Sequence, residues 1–482
     1  MVRDTARATA AQLTAARNEL LEVEAEWSTL QHDLATRYPV SEGRALPLDE
    51  IQASLAPTEA ILGWLHVEIA PEDHATWGYV VRNAGPVTWR RLDVPEDTTD
   101  GETRIDRAQA FRDALDQAAA WPFRVTDTQR ITAAARELYD DWVAPLAPRL
   151  AGIRSLRVVA AGPLIGIPVE VLMDTTGTYL GESMAVSYTP SATIHAWLAR
   201  SPGPEQIAYR TALLLGDPPT TPAYLAAMER EKIGAASAEP APLTSGPRLA
   251  AQQLRDALAG NAEALEALPR LRWTREEITR LAPLFPATRI LLGPDASEQE
   301  LVALAASGDL ARFDVIHLAA HALVDEDAPA RSALVLARTG LSDPVEAALA
   351  GRPIQDGLFS VKEIARNCRL HAELVTLSGC QTGLGREAGG EGYLGLAHAF
   401  LQAGARSLLV SLWRVEDEAT CLLMDRFYRN LLGREGGTQP PSKVDALREA
   451  KSWLRTWTDD TGAQPYRHPA YWSGFILIGS PR

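Results

Sequence analysis

The sequence predicts an α/β fold built on a largely parallel sheet with helices on both faces. From residue 156 short apolar runs recur, each bounded by Gly, Pro or Asp: LRVVAAG, MAVSYTP, ALLLGDP, TRILLG, FDVIHLA, ALVLA, LVTLS, SLLVSLW and FILIGS. They are largely apolar rather than alternating, as strands buried on both faces are. Helical stretches near 190–200, 274–284, 297–309, 391–403, 416–433 and 443–458 separate many of them, the rhythm of strand–helix–strand units. In such sheets the functional crevice lies at the carboxyl ends of the strands.

In chain order, residues 1–40 are expected to form an N-terminal amphipathic helix. Leu13, Ala16, Leu20, Val23, Trp27, Leu30 and Leu34 alternate spacings of three and four, and Pro39 with the polar SEGR ends the stripe. Such a helix docks on its own domain or serves self-association and partner binding, since a lone helix is marginal. Residues 45–150 read as a β-rich and helical region. AILGWLHVEI, TWGYVVR and VTWRRLD form a small sheet, with Asn83, Gly85 and Pro86 in the turn. Helices follow around 104–121 and 126–149, the second with Ile131, Ala134, Leu138, Trp142 and Leu146 on one face. Residues 151–217 begin the α/β unit. An Ala/Pro/Gly-rich insertion, 218–272, is expected at the surface, as a lid, a docking element, a processing site or an indifferent loop. Residues 273–482 complete the unit and carry its chemistry.

A chain of 482 residues exceeds what one core usually serves, so two or three structural units are expected. With 62 acidic against 47 basic residues the formal charge is -15, which argues against nucleic acid as the main partner and favours basic polypeptide segments. Cys368, Cys380 and Cys421 form no CxxC pair, so neither a disulfide framework nor a zinc knuckle is indicated. MVRDTARATAAQL lacks an apolar signal core and no run approaches a membrane span, so a reducing cytoplasm is the expected setting. GLGREAGGEGYLGL, residues 383–396, follows a strand and precedes a helix. It lacks both GxxxxGK[ST] and a GxGxxG in register, so it reads as a flexible loop beside Cys380 rather than a nucleotide cradle, and no cofactor is expected.

Chemistry concentrates at two strand ends. LVTLSGCQTGLG, residues 374–385, brings an apolar strand to Cys380 in a turn of small residues, where a substrate backbone could approach the sulfur and the Cys380 amide could donate to an oxyanion. FDVIHLAAHA, residues 313–322, ends on His321, a base within reach of such a thiol. Taken alone, a buried cysteine is more often inert packing. His317 and His321 stand four apart on one face of that strand; with no third ligand in the pattern, a metal site is not favoured. His317, deeper in the strand, is assigned structural hydrogen bonds. SLWRVEDEAT, residues 411–420, emits Trp413 and then Glu416, Asp417 and Glu418 at a helix start. Helix capping explains these acids, and so does a pocket wall in which Asp417 receives a Lys or Arg side chain.

These residues resemble the CHAT family of caspase-like (clan CD) cysteine peptidases. The likeness is carried by DVIHLAAHA, by LVTLSGCQTGLGREAGGEGYLGLAHAFLQAGARSLLVSLWRVEDEAT, by ALREAKSWLR and HPAYWSGFILIG, and upstream by GPLIGIPVEVL and YLGESMAVSYTPSA, covering about residues 45–482. His321 lies 59 residues before Cys380, near the spacing of about 50 in caspases. The resemblance implies a caspase-like sheet, with 151–217 as a pseudo-caspase-like first half and 273–482 as the catalytic half. It implies His321 as base and Cys380 as nucleophile, with the amides of Ala322 and Cys380 as oxyanion hole. Many members have Gly where this chain has Ala322, and a positive φ there would strain alanine. By similarity to separases, Asp417 is the expected acid for a basic P1 side chain, with Trp413 and Ser411 beside it.

Family members are often joined to TPR repeats or sensing modules, and several serve bacterial antiviral defence or regulated cell death. Gasdermins, caspase-like zymogens and regulatory proteins are the implied substrates. No 34-residue repeat is visible, so the trigger is expected from an activating partner, a ligand or the region 45–150, acting on the loop 383–392; an oligomer is compatible with this. Two other readings stand beside the peptidase. One is a catalytically silent scaffold or peptide-binding signalling module. The other is a thiol-dependent enzyme of small molecules, which would need an enclosed apolar pocket.

Overall fold

The computed structural model describes residues 45–70, 73–92, 103–118, 125–200, 208–232, 265, 268, 270–324, 329–341, 349, 355–379, 395–434 and 441–482. The chain divides into two units, Met1–Glu50 and Ile51–Arg482. The helix expected over 1–40, Cys380, the loop 383–394 and most of the insertion 218–272 lie outside the described residues.

The second unit is organised by one eleven-stranded sheet. In chain order its strands are β1 (Glu59–Ala70), β2 (Asp73–Arg82), β3 (Thr88–Leu92), β4 (Ser155–Val159), β5 (Ala185–Tyr188), β6 (Thr211–Gly216), β7 (Ala287–Leu292) and β8 (Val315–Ala319). Three short strands follow outside it, β9 (His321–Leu323), β10 (Ala333–Val335) and β11 (Leu358–Ser360), before β12 (Leu374–Leu377), β13 (Ser407–Ser411) and β14 (Phe475–Gly479) return to it. The spatial order is β3-β2-β1-β4-β5-β14-β13-β12-β8-β6-β7. Pairing is parallel between β1 and β4, β4 and β5, and through β13-β12-β8-β6-β7. It is antiparallel between β1, β2 and β3 and between β13 and β14. Every residue of β8, β12, β13 and β14 is buried. Successive side chains of a strand point to opposite faces, so both faces of the sheet are covered at these central strands, while the edge strands β3 and β7 are largely exposed.

The main helices are α1 (Arg104–Ala118), α2 (Val125–Trp142), α3 (Ala192–Arg200), α4 (Pro222–Lys232), α5 (Trp273–Leu281), α6 (Glu298–Ser307), α7 (Val361–Asn367), α8 (Leu396–Ala403), α9 (Asp417–Leu431) and α10 (Lys443–Thr456). Their starts carry the expected chemistry. The Glu416 carboxylate accepts from the Ala419 N–H at 2.7 Å, and the Ser442 hydroxyl accepts from Asp445 N–H at 3.2 Å. Ser360 and Glu363 close a capping box on α7. Gly404 ends α8 at φ +114, where a Cβ would collide with the Leu370 carbonyl, so only glycine fits.

Three expectations change. The strands of residues 60–92 are not a separate small sheet, because Leu62 of β1 pairs with Val158 of β4 and continues the large one. ALVLA does not join the parallel sheet; β10 pairs antiparallel with β9 and β11. FDVIHLAAHA is not one strand. It bends at Ala320, so β8 ends in the large sheet and β9 opens the small one, where Leu323 and Val335 pack with Leu265 in a cluster of their own.

Candidate active site

β8 and β12 are neighbours in register, Leu318 opposite Leu377, and the Ser378 N–H donates to the Leu318 carbonyl at 2.9 Å. The two segments therefore leave the sheet side by side, β8 after Ala319 and β12 after Leu377. β13 adds a third strand end, Val410 opposite Leu377, and the Ser411 hydroxyl donates to the Gly379 carbonyl. The Ser411 hydroxyl, expected near a substrate, is thus spent on Gly379, the last described residue before Cys380.

His321 follows the bend and opens β9, opposite Val335 and 7% exposed. Ala322 pairs with Leu334. Among the described residues Asp217 is the non-glycine residue with positive φ, so the strain anticipated at Ala322 does not arise. The bend also separates the two histidines that a single strand would have put on one face. His317 stays in the large sheet, fully buried, its Nε2 2.6 Å from Glu277 Oε1 and its Nδ1 3.2 Å from the Tyr428 hydroxyl, which also meets Thr376 Oγ1 at 2.7 Å. These are the structural bonds expected of the deeper histidine. Glu277 went unnoticed in the sequence. It sits on the buried stripe of α5 with Thr274, Ile278 and Leu281, and an acid at a core position of an amphipathic helix was the available signal.

Asp417 opens α9. Its Oδ2 accepts the Trp273 backbone N–H at 2.7 Å, tying α9 to the start of α5. Burial pushes the carboxyl from 3.8 up to about 7; the Trp273 bond opposes this, and Glu277 and Glu416 add to it. Trp413 is 1% exposed, its indole N–H donating to the Ala470 carbonyl at 2.9 Å. A Cβ on Gly474 would press on the same ring. Trp413 thus packs the interior behind β13 instead of offering a surface to substrate, a correction to its expected role.

Asp217, directly after β6, is a further residue the sequence reading passed over. Fully buried at φ +53, it receives the Tyr224 hydroxyl on Oδ1 at 2.5 Å and Arg275 Nε on Oδ2 at 2.6 Å, with Arg270 at 3.5 Å. The described ends of the 218–272 insertion are thereby tied to the sheet, and Tyr224 and Met228 of α4 are buried. The other two thiols are unsuited to nucleophilic attack. Burial raises Cys368 to about 12 and raises Cys421 further.

The family model of the CHAT domain matches residues 132–480, well over half of the chain. Tetratricopeptide repeat protein 28 of Mus musculus is 33% identical over 128 residues, 27% of this chain and 5% of that protein; its Homo sapiens counterpart is 32% identical over the same length. The match thus spans about one-twentieth of these relatives. Among solved structures, the Saccharomyces cerevisiae separase–securin complex aligns with TM-score 0.47 and 9% identity, over 90% of this chain and 30% of that one. The Arg-specific cysteine proteinase gingipain R aligns with TM-score 0.37 and 8% identity, over 78% of this chain and 74% of that one.

Proposed function

This chain belongs to the CHAT domain family, and from that premise we propose that it is a regulated cysteine endopeptidase using Cys380 and His321. One observation carries the reading most: the segments bearing His321 and leading to Cys380 leave adjacent parallel strands, coupled by the Ser378–Leu318 hydrogen bond. His321 takes the thiol proton as sulfur adds to the scissile carbonyl, and the amides of Ala322 and Cys380 receive the oxyanion. The protonated imidazole then gives its proton to the leaving amine, and an acyl-thioester remains on Cys380. Water, deprotonated by His321, releases the acyl product and restores the thiol.

Asp417 is the acid we assign to a basic P1 residue. Its support is electrostatic: it lies half-buried with a backbone N–H as its hydrogen-bond partner, and its raised pKa measures how poorly the site solvates that charge. Cleavage is therefore proposed after Lys or Arg, of a protein substrate, in the cytoplasm. Low basal activity, raised by a partner or ligand, is part of the reading, as is a role in defence or cell death; both rest on the family. The test is cleavage of a P1-diverse peptide library by the purified chain. Products ending in Lys or Arg that vanish in Cys380→Ala support the reading; products with acidic or apolar P1, or products unchanged in Cys380→Ala, overturn it.

A further inference from the structure

The second unit holds a cavity of about 600 Å³, lined by none of His321, Ser411, Trp413 and Asp417 and within the size range of small-molecule sites. Glu59, Ser155 and Ala185, the first residues of β1, β4 and β5, line it, together with Ser442 at the start of α10 and Arg482 beyond β14. Its distinguishing content is Arg154, Arg157, Arg448 and Arg482, against Glu59 and Asp445. This is a local cationic excess in a protein whose net charge is -15.

The two acids are already engaged. Glu59 Oε1 takes Arg157 Nη2 at 2.6 Å and its Oε2 takes the Ala56 N–H at 3.0 Å. Asp445 accepts the Ser442 hydroxyl at 2.6 Å and pairs with Arg448 at 3.5 Å. No acid among the described residues lies in ion-pair range of Arg154 or Arg482, and both side chains are exposed at the cavity. Arg157 is the built part. It is 2% exposed, its Nη1 donates to Ser155 at 2.7 Å and Ser187 at 3.2 Å, and its Nε is buried with no acceptor. Burial first, and then the Arg157 charge, hold His195 down at about 4; Glu59 opposes them and Arg482 acts in their sense. Two exposed cations without counter-ions, set at one cavity in front of a buried Arg157–Glu59 pair, are an arrangement an anion completes.

We propose that this cavity binds a small molecule through a phosphate or pyrophosphate group, held by Arg154 and Arg482 in front of the buried Arg157–Glu59 pair. The site has a mechanical link to the strands of the candidate active site. Lys443, next to Ser442, donates to the Glu373 carbonyl at 2.9 Å and to the Ser407 hydroxyl at 3.0 Å. Those residues precede β12 and open β13, so the helix start that borders the cavity is also bonded to the amino ends of the strands whose carboxyl ends lead to Cys380 and Ser411.

Calorimetric titration of the full chain with inorganic pyrophosphate, using sulfate and chloride as controls, tests the assignment without reference to peptidase activity. Saturable binding of one pyrophosphate per chain is expected, weakened at least tenfold in Arg154→Gln/Arg482→Gln, two exposed positions whose replacement leaves the fold intact. Absence of saturable binding, binding equal to that of chloride, or undiminished affinity in the double variant would overturn it.

Discussion

The carboxyl ends of β8, β12 and β13 and the arginine-lined cavity at the start of α10 are electrostatic opposites. Around the first lie Asp217, Glu277, Glu416 and Asp417; around the second, Arg154, Arg157, Arg448 and Arg482. In each, some charges are matched internally and others are not. Asp217 has two arginines and Arg157 has Glu59, whereas Asp417 has a backbone N–H and Arg154 and Arg482 have no acid in range. A matched buried pair is architecture, since removing one partner strands the other. A buried carboxyl left without its counter-ion costs stability, whereas exposed arginines such as Arg154 and Arg482 are solvated by water that an anion can replace. The contrast separates residues that hold the fold from residues that wait for a partner.

The largest effect that would sharpen this division is expected at the chemistry itself. Cys380→Ala and His321→Ala should each lower cleavage by about a thousandfold or more with unfolding midpoints unchanged. Next is the matched class. Glu277→Ala should destabilise the fold by about 2–4 kcal/mol in urea titration, leaving His317 without its acceptor, and activity should fall only as far as the folded fraction does. A loss of activity in fully folded Glu277→Ala would move Glu277 into the other class.

Asp417→Asn should do the reverse. Its kcat/KM toward basic P1 should drop about a hundredfold, or about 2.7 kcal/mol. Stability should rise, because an acid whose pKa goes from 3.8 to about 7 on folding binds protons more tightly in the folded state, so stability falls as pH climbs between those values and stays lower above pH 7. Asparagine removes that penalty while keeping an acceptor for Trp273, and a gain on the order of 2 kcal/mol at pH 8, absent at pH 4, is expected. For the same reason wild-type preference for basic P1 should fade as pH drops below 7. The smallest effect belongs to Ser411→Ala, a loss of about fivefold in kcat with KM unchanged, as expected for a group that positions the Gly379 peptide without touching substrate.

Much of the fold was legible because its signals are local. Largely apolar runs marked β4 to β8 and β12 to β14, and the helix starts at Glu416 and Ser442 follow from short polar side chains and acids at N-termini. What escaped was non-local. Nothing in FDVIHLAAHA announces the bend at Ala320, which is fixed by β10 pairing with His321–Leu323 from beyond residue 332. Glu277 and Asp217 gain their meaning from His317 and from Arg270 and Arg275, partners that only the folded chain supplies. Trp413 followed the opposite course: its place beside the acids suggested a pocket wall, while its ring is spent on Ala470 and Gly474.

The central claim, a thiol activated by His321 and aimed at basic substrates, is tested most directly by alkylation with an arginyl chloromethyl ketone, followed by intact mass and peptide mapping. A single adduct on Cys380 is expected, formed much faster than with an alanyl chloromethyl ketone and slowed in His321→Ala and Asp417→Asn, with Cys368 and Cys421 unlabelled. Labelling of Cys380 at equal rates by both reagents and in both variants, or no preference for Cys380 over the other thiols, would contradict the account.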